Sequence, residues 1–281
     1  MKARFALGMR LFVALAMFIA TGCGSSSTKD EGFGAYKANL KQTYIDAMDA
    51  LASANYPQAK KLFRELSGES RYVKYSVLAK LRLGDTMLAE GDYEAAEYVY
   101  DEFLQQYKGD PNEPYAHFRK CQTREEQVPG DWLILPPPES KDMTHARRAY
   151  VCLKDFLDLY SDSRFAPRAM QSYATLRGLL YRHERYVADY YWRHDRFDAV
   201  KGRVVGILQD YPEKMDEVLY ERLVRSLAES KDLTEATRYY TDYSSRFPKG
   251  RYRGSLQTIL DDLKREVPDG SEQDEDPQPA G

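Results

Sequence analysis

From residue 36 to about residue 265 the apolar positions recur at intervals of three and four. That is the helical period, and almost nothing in the stretch alternates as a strand would. Most of the glycines and prolines in this stretch fall between the periodic segments. Within the helices one frame returns. It runs Tyr93, Ala96, Tyr100, Phe103, Leu104, Tyr107: an aromatic opener, a small residue three later, then large residues at intervals of four, three, one and three. The same frame reappears as Phe197, Val200, Val204, Ile207, Leu208, Tyr211, and as Leu233, Ala236, Tyr240, Tyr243, Phe247. Ala149, Leu153, Phe156, Leu157 and Tyr160 match it from the small position onward, and Tyr56, Ala59, Phe63 and Leu66 match its start.

The small positions 59, 96, 149, 200 and 236 are separated by 37, 53, 51 and 36 residues. A small residue lets two helices approach closely, and the large ones fill the groove beside it. Pro212 and Pro248 directly follow the last aromatic of their repeats, where proline disfavours helical geometry in the residue before it. Gly91-Asp92 before Tyr93 marks a tight turn between paired helices. The pattern is similar to tetratricopeptide repeats, whose period is about 34 residues. It predicts an all-α fold, a superhelical stack of about five helix hairpins over 36–266, closed by a capping helix from about Gly250 to Arg265. The wide separations predict an irregular loop over 128–142, after a helix from Pro114 to Gln127, and a long helix from about Ser163 to Asp195. That helix would reach roughly 50 Å at 1.5 Å per residue. Residues 267–281 are acidic, bear prolines and hold few large apolar residues, so they read as a disordered tail.

The first residues follow another logic. Lys2, Arg4 and Arg10 precede an apolar run, Leu11 to Ala20, too short for a ~20-residue membrane-spanning helix but fitting a signal peptide over 1–22. Ala20-Thr21-Gly22-Cys23 resembles a bacterial lipobox, which makes Cys23 the lipidation site. Gly24 to Thr28 then reads as part of a flexible tether over 23–35. No aspartate directly follows Cys23; by analogy with enteric bacteria the destination is the outer membrane, facing the periplasm, with the lipid as the only membrane attachment. Removing the leader takes the formal charge from −3 to about −6, which leaves no basic excess for nucleic acid. Cys121 and Cys152 remain. Their spacing fits no zinc pattern, and an oxidising compartment permits a disulfide. A bond and two buried thiols both stay open.

The signatures of catalysis are missing: no HExxH, no phosphate-binding glycine loop, no nucleophile elbow. No cofactor or metal is expected, and the chain reads as a binding scaffold. Tyrosine is abundant, 23 against 11 phenylalanines and 2 tryptophans. Its apolar area and single hydroxyl suit interfaces as well as cores. Tyr72 with Tyr75, Tyr186 to Trp192, and Tyr239 with Tyr240 form clusters.

A more specific likeness lies in 144–212. Thr144 to Tyr150 opens a helix that ends at Phe156 to Ser163. Then come Val187-Ala188-Asp189-Tyr190-Tyr191, Arg196 to Val200, and Arg203 through Tyr211-Pro212. This stretch resembles the BamD family, tetratricopeptide lipoproteins of the outer-membrane β-barrel assembly machinery. The resemblance implies a scaffold that binds the periplasmic domains of an integral barrel subunit, works beside accessory lipoproteins, and receives the C-terminal signals of unfolded outer-membrane proteins. It places Arg203 toward the docking face, where Tyr190, Tyr191 and Arg196 are further candidate partner contacts; an aromatic-rich peptide end needs apolar walls and a few polar partners, and the concave face of the first two repeats offers Tyr44, Tyr56, Tyr75, Arg82 and Tyr98 as candidate client contacts. Arg203 borders the buried stripe of its helix, so a solvated arginine or an internal pair with Glu184 or Asp210 is the other reading. The 128–142 loop and the acidic tail depart from the family pattern. Another envelope scaffold lipoprotein, such as a secretin pilotin or a cell-wall-linked repeat protein, is the alternative, as is a soluble periplasmic repeat protein.

Overall fold

A computed structural model of the chain describes residues 27–68, 73–130 and 137–266. The signal peptide, Cys23, Tyr72, the middle of the proline-rich loop and the acidic tail lie outside the described residues. Among those described there are eleven α-helices and no strand. They are α1 (Ser27–Ala52), α2 (Tyr56–Ser67), α3 (Val73–Glu90), α4 (Tyr93–Gln106), α5 (Glu113–Glu125), α6 (Thr144–Leu159), α7 (Ala166–Trp192), α8 (Phe197–Asp210), α9 (Glu217–Glu229), α10 (Leu233–Arg246) and α11 (Arg253–Glu266). Short 3-10 turns cover Pro138–Ser140 and Pro212–Lys214. None of the described helices is long and apolar enough to cross a membrane.

The chain divides into two compact units, one ending at Arg119 and one starting at Lys120. In the first, α1, α2, α3 and α4 pack consecutively and α1 also meets α3. In the second, α6 through α10 pack consecutively, and α11 covers both α9 and α10. Neighbours in sequence, plus alternate first helices, are the contacts that stacked hairpins make. The repeat frame is the reason. Ala59, Ala96, Ala149, Val200 and Ala236 are all completely buried. The large residues seven positions on, Leu66, Phe103, Phe156, Ile207 and Tyr243, are buried with them.

Four of the hairpin turns share one backbone solution. Ala54, Gly91, Asp195 and Lys231 each adopt a positive φ, between 54° and 89°, two residues before the next helix. In each turn that residue's N–H donates three residues back. The following N–H donates five back, as in Asn55 to the carbonyl of Ala50, Asp92 to Met87, Arg196 to Tyr191 and Asp232 to Leu227. This is the Schellman arrangement, and it satisfies carbonyls that the ending helix leaves open. The succeeding helix is then capped by Asn55, Asp92 or Asp232, whose side chains accept from the N–H of Gln58, Ala95 and Glu235. Arg196 holds that position in the fourth hairpin and makes no side-chain cap.

Three boundaries differ from the sequence reading. Helix α1 begins at Ser27, inside the stretch read as a tether. Once Leu40, Ala47 and Ala50 are packed, each residue added toward the N-terminus gains one hydrogen bond without a new nucleation cost. The long helix α7 has 27 residues, about 40 Å, shorter than the expected 163–195. Pro167 sits in its first turn, a favoured starting position, and the Schellman turn at Asp195 ends it. The capping helix starts at Arg253, because residues 247–252 are held as a turn by Glu217 and Tyr243.

Cys121 and Cys152 are joined by a disulfide, with Cα atoms 5.4 Å apart. The bond ties α5 to α6 where a long connection replaces the tight turn of the other hairpins. Of the two readings left open, the bond is the one adopted.

Candidate functional site

In the first unit, α3 carries Arg82 and Asp85 one turn apart. Asp85 is buried at 6 % exposure. Its carboxylate accepts four hydrogen bonds: from the Tyr100 hydroxyl at 2.6 Å and Arg119 Nε at 2.9 Å on one oxygen, and from the Tyr115 hydroxyl and Arg82 Nη1, both at 2.6 Å, on the other. A buried carboxylate needs this degree of satisfaction. Arg82 Nη1 also donates to the Tyr115 hydroxyl at 2.8 Å, and Arg82 Nε to the Tyr44 hydroxyl at 3.4 Å. The guanidinium lies 5.3 Å from the centre of the Tyr115 ring. Burial, with the Asp85 charge, pushes the Tyr100 and Tyr115 hydroxyls far above their ordinary range, so both remain donors.

Aromatic rings surround this cluster. Tyr44 packs 5.7 Å from Tyr75 and 6.0 Å from Phe63, centre to centre. Of the client residues expected from sequence, the structure therefore gathers Tyr44, Tyr75 and Arg82. Tyr56 and Tyr98 make no hydrogen bond or ring contact with the cluster among the described residues. Tyr98 is instead 67 % exposed on α4. Tyr56 and Tyr98 thus stand apart from the Asp85 network, on α2 and α4. Asp85, Tyr100, Tyr115 and Arg119 were missed. The one sequence signal was a carboxylate, Asp85, between the core positions Leu81 and Met87.

In the second unit, Glu184 of α7 sits between two arginines. Arg203 Nη1 and Arg147 Nη2 each donate to it at 2.7 Å, one to each oxygen. Burial alone would raise the Glu184 carboxyl; the two guanidiniums outweigh it and hold it below its ordinary value. The Arg203 side chain is 40 % exposed and Arg147 51 %, against 14 % for Glu184. Arg203 thus forms the internal pair with Glu184, not with Asp210, while keeping a solvent-facing side. Tyr190 is exposed and stacks on His194 at 4.2 Å; it also meets Tyr191 edge-on at 5.6 Å. Arg196 is exposed and lines an open cleft with Asp195, Asp198, Glu229 and Ser230. Arg196 and Tyr190 belong to the same helix end, whereas Arg203 lies further along α8.

A second feature of α7 escaped the sequence reading. Tyr173, Arg177, Tyr181, Arg185 and Asp189 recur every four residues, so they share one face. Tyr173 stacks on Tyr150 at 4.7 Å. Arg177 pairs with Glu213 and donates to the Asp210 carbonyl at 2.8 Å; Arg185 reaches Asp216; Asp189 accepts from Arg222. Arg177 draws the Glu213 carboxyl down to about 2. The ladder fixes α7 to the turn and helix that follow α8.

Residues 37–233 match the family model described as YfiO, an outer membrane lipoprotein. The chain is 27% identical over 209 residues to the outer membrane protein assembly factor BamD of Xylella fastidiosa (strain Temecula1 / ATCC 700964), covering 72% of this chain and 69% of that one. It is 25% identical over 213 residues to the protein of the same name from Haemophilus influenzae (strain ATCC 51907 / DSM 11121 / KW20 / Rd), covering 73% and 79%. With that of Helicobacter pylori (strain ATCC 700392 / 26695) it shares 24% over 212 residues, covering 74% and 87%.

Proposed function

The chain belongs to the YfiO family of outer membrane lipoproteins, and from that membership we propose that it is a scaffold for the assembly of outer-membrane β-barrel proteins. The observation that carries this reading is the family match across 37–233, which takes in the larger part of α1, all of α2 to α9 and the first residue of α10. The relatives named as assembly factors cover 72% and 73% of the chain. The protein works by binding and not by catalysis. Cys23 carries the lipid that holds it at the outer membrane, with the helical units in the periplasm. The second unit docks on the barrel subunit, with Arg203, Tyr190, Tyr191 and Arg196 as contacts and accessory lipoproteins joining around them. The first unit receives the C-terminal signals of unfolded clients on the cluster of Tyr44, Tyr75 and Arg82. A half-buried charge among aromatic rings suits an extended peptide that ends in an aromatic residue.

The test is purification of the tagged protein in mild detergent, followed by identification of what accompanies it. Co-purification of an integral β-barrel protein with periplasmic domains is the expected result. Recovery of a secretin or of cell-wall enzymes in its place would defeat the reading.

A further inference from the structure

Arg82 is arranged as half of a carboxylate receptor. A guanidinium grips a carboxylate best with an edge that offers two parallel N–H groups. On Arg82, Nη1 is committed to Asp85 and to Tyr115. Nε is directed at the Tyr44 hydroxyl. Nη2 has no hydrogen-bond acceptor among the described residues, although the side chain is only 31 % exposed. The Tyr44 hydroxyl accepts from Nε and has no acceptor of its own among them. Two donors therefore stand side by side, the N–H groups of Nη2 and the O–H of Tyr44.

We propose that this pair binds the free C-terminal carboxylate of a client peptide, an inference that rests on the client reading of the first unit. One ligand oxygen accepts from Arg82 Nη2 and the other from the Tyr44 hydroxyl. Asp85 is a positioning residue: with Tyr115 it fixes Nη1, so the outer edge of the guanidinium is presented without loss of rotamer freedom on binding. The rings of Tyr44 and Tyr75 stand next to the donors and take the side chain of the last client residue. An internal strand segment of the same composition lacks the terminal charge and gains only the ring contacts. The site therefore reads the end of a chain.

The experiment compares two peptides of about ten residues, the length of a barrel strand. Both alternate apolar and polar residues and end in phenylalanine; one carries a free carboxylate and the other a C-terminal amide. Binding to the full mature protein is followed by fluorescence anisotropy. The acid is expected to bind at least about tenfold tighter than the amide, about 1.4 kcal/mol, and added salt should narrow the gap. Tyr44→Phe keeps the ring contacts, and Arg82→Gln removes the guanidinium. Each should bring the ratio of the two affinities close to one, because the acid peptide loses far more than the amide. Arg82→Gln also disturbs Asp85, so the Tyr44→Phe result decides if that variant misfolds. Equal binding of acid and amide by the natural protein overturns carboxylate recognition and leaves the client reading standing, as does an unchanged ratio in Tyr44→Phe. Failure of both peptides to bind removes the client reading and this inference together.

Discussion

A Cβ atom on Gly84 would stand 2.7 Å from a ring carbon of Tyr100. Gly84 is a helix-interior glycine, which ordinarily costs stability relative to alanine. Its place is explained by the ring: only without a side chain at 84 can Tyr100 lie across α3 and deliver its hydroxyl to Asp85. Gly84→Ala would displace a completely buried ring and lengthen that hydrogen bond. Overpacking of this kind costs about 1–3 kcal/mol, set against about 1 kcal/mol of improved helix propensity. The expected net effect is a loss of about 1 kcal/mol in urea unfolding. Unchanged or increased stability would mean that the ring is not held as described.

Arg203 has two faces, one on Glu184 and one toward solvent. Arg203→Ala should release the barrel subunit in co-purification. Glu184 keeps its bond to Arg147, so the folded protein should lose no more than about 1 kcal/mol, the ordinary range of a partly exposed pair. Arg203→Glu sets a second carboxylate beside Glu184 and should cost more stability as well as binding. Full retention of the barrel subunit by Arg203→Ala near physiological salt would remove Arg203 from the interface.

Acid should weaken the second unit through named carboxylates. Glu184 and Glu213 both have folded values below their ordinary ones, the latter at about 2. A depressed carboxyl contributes stability above its unfolded value, about 4.3 for glutamate, and loses it as pH falls through the folded value. Stability measured by denaturant should therefore decline from about pH 4.3 toward pH 2. Glu184→Gln should flatten part of that decline. An identical slope in the variant would show that other carboxylates carry the effect.

The hairpin turns allow a test with opposite signs. Lys231 adopts φ 57° and Gly91 φ 89°. A non-glycine residue in the left-handed region costs roughly 1 kcal/mol. Lys231→Gly should thus stabilise by a few tenths to about 1 kcal/mol, after the extra freedom of glycine in the unfolded chain is counted. Gly91→Ala should destabilise by about 1 kcal/mol. Thermal melts of the two variants moving in the same direction would contradict the shared turn.

The repeat itself was legible because its signal is local. Ala96, Tyr100 and Phe103 fall at helical intervals, and the requirement for a small residue at a close crossing is the same in every hairpin. The Asp85 cluster was not, because its members come from three helices. Arg82 and Asp85 alone look like a solvated pair one turn apart, and Tyr100 looks like plain core. Only their convergence makes one buried network. Arg203 stood between the two cases: Glu184 was one of the internal partners that spacing suggested, but Arg147 as a second arginine on the same carboxylate came from the packing of α6 against α7. Ala54, Asp195 and Lys231 gave no warning of a left-handed turn, since none is glycine and only the aspartate is of a type that tolerates one readily.

The disulfide should carry weight in the second unit. Cross-linking residues 31 apart in sequence removes unfolded-state freedom worth about 2–4 kcal/mol. Cys121→Ala with Cys152→Ala, or a reductant present during unfolding, should lower stability by that amount. No change on reduction would show that the hairpin is held by its apolar contacts alone.

The same bond gives α5 and α6 a covalent link besides the peptide backbone between them. Both cysteines lie inside helices, so a single protease cut between residues 121 and 152 would leave two fragments still fastened at the point where the helices touch. The severed protein would migrate as one species until a reductant was added. New chain ends opened there would leave both helices moored to each other through the sulfur bridge.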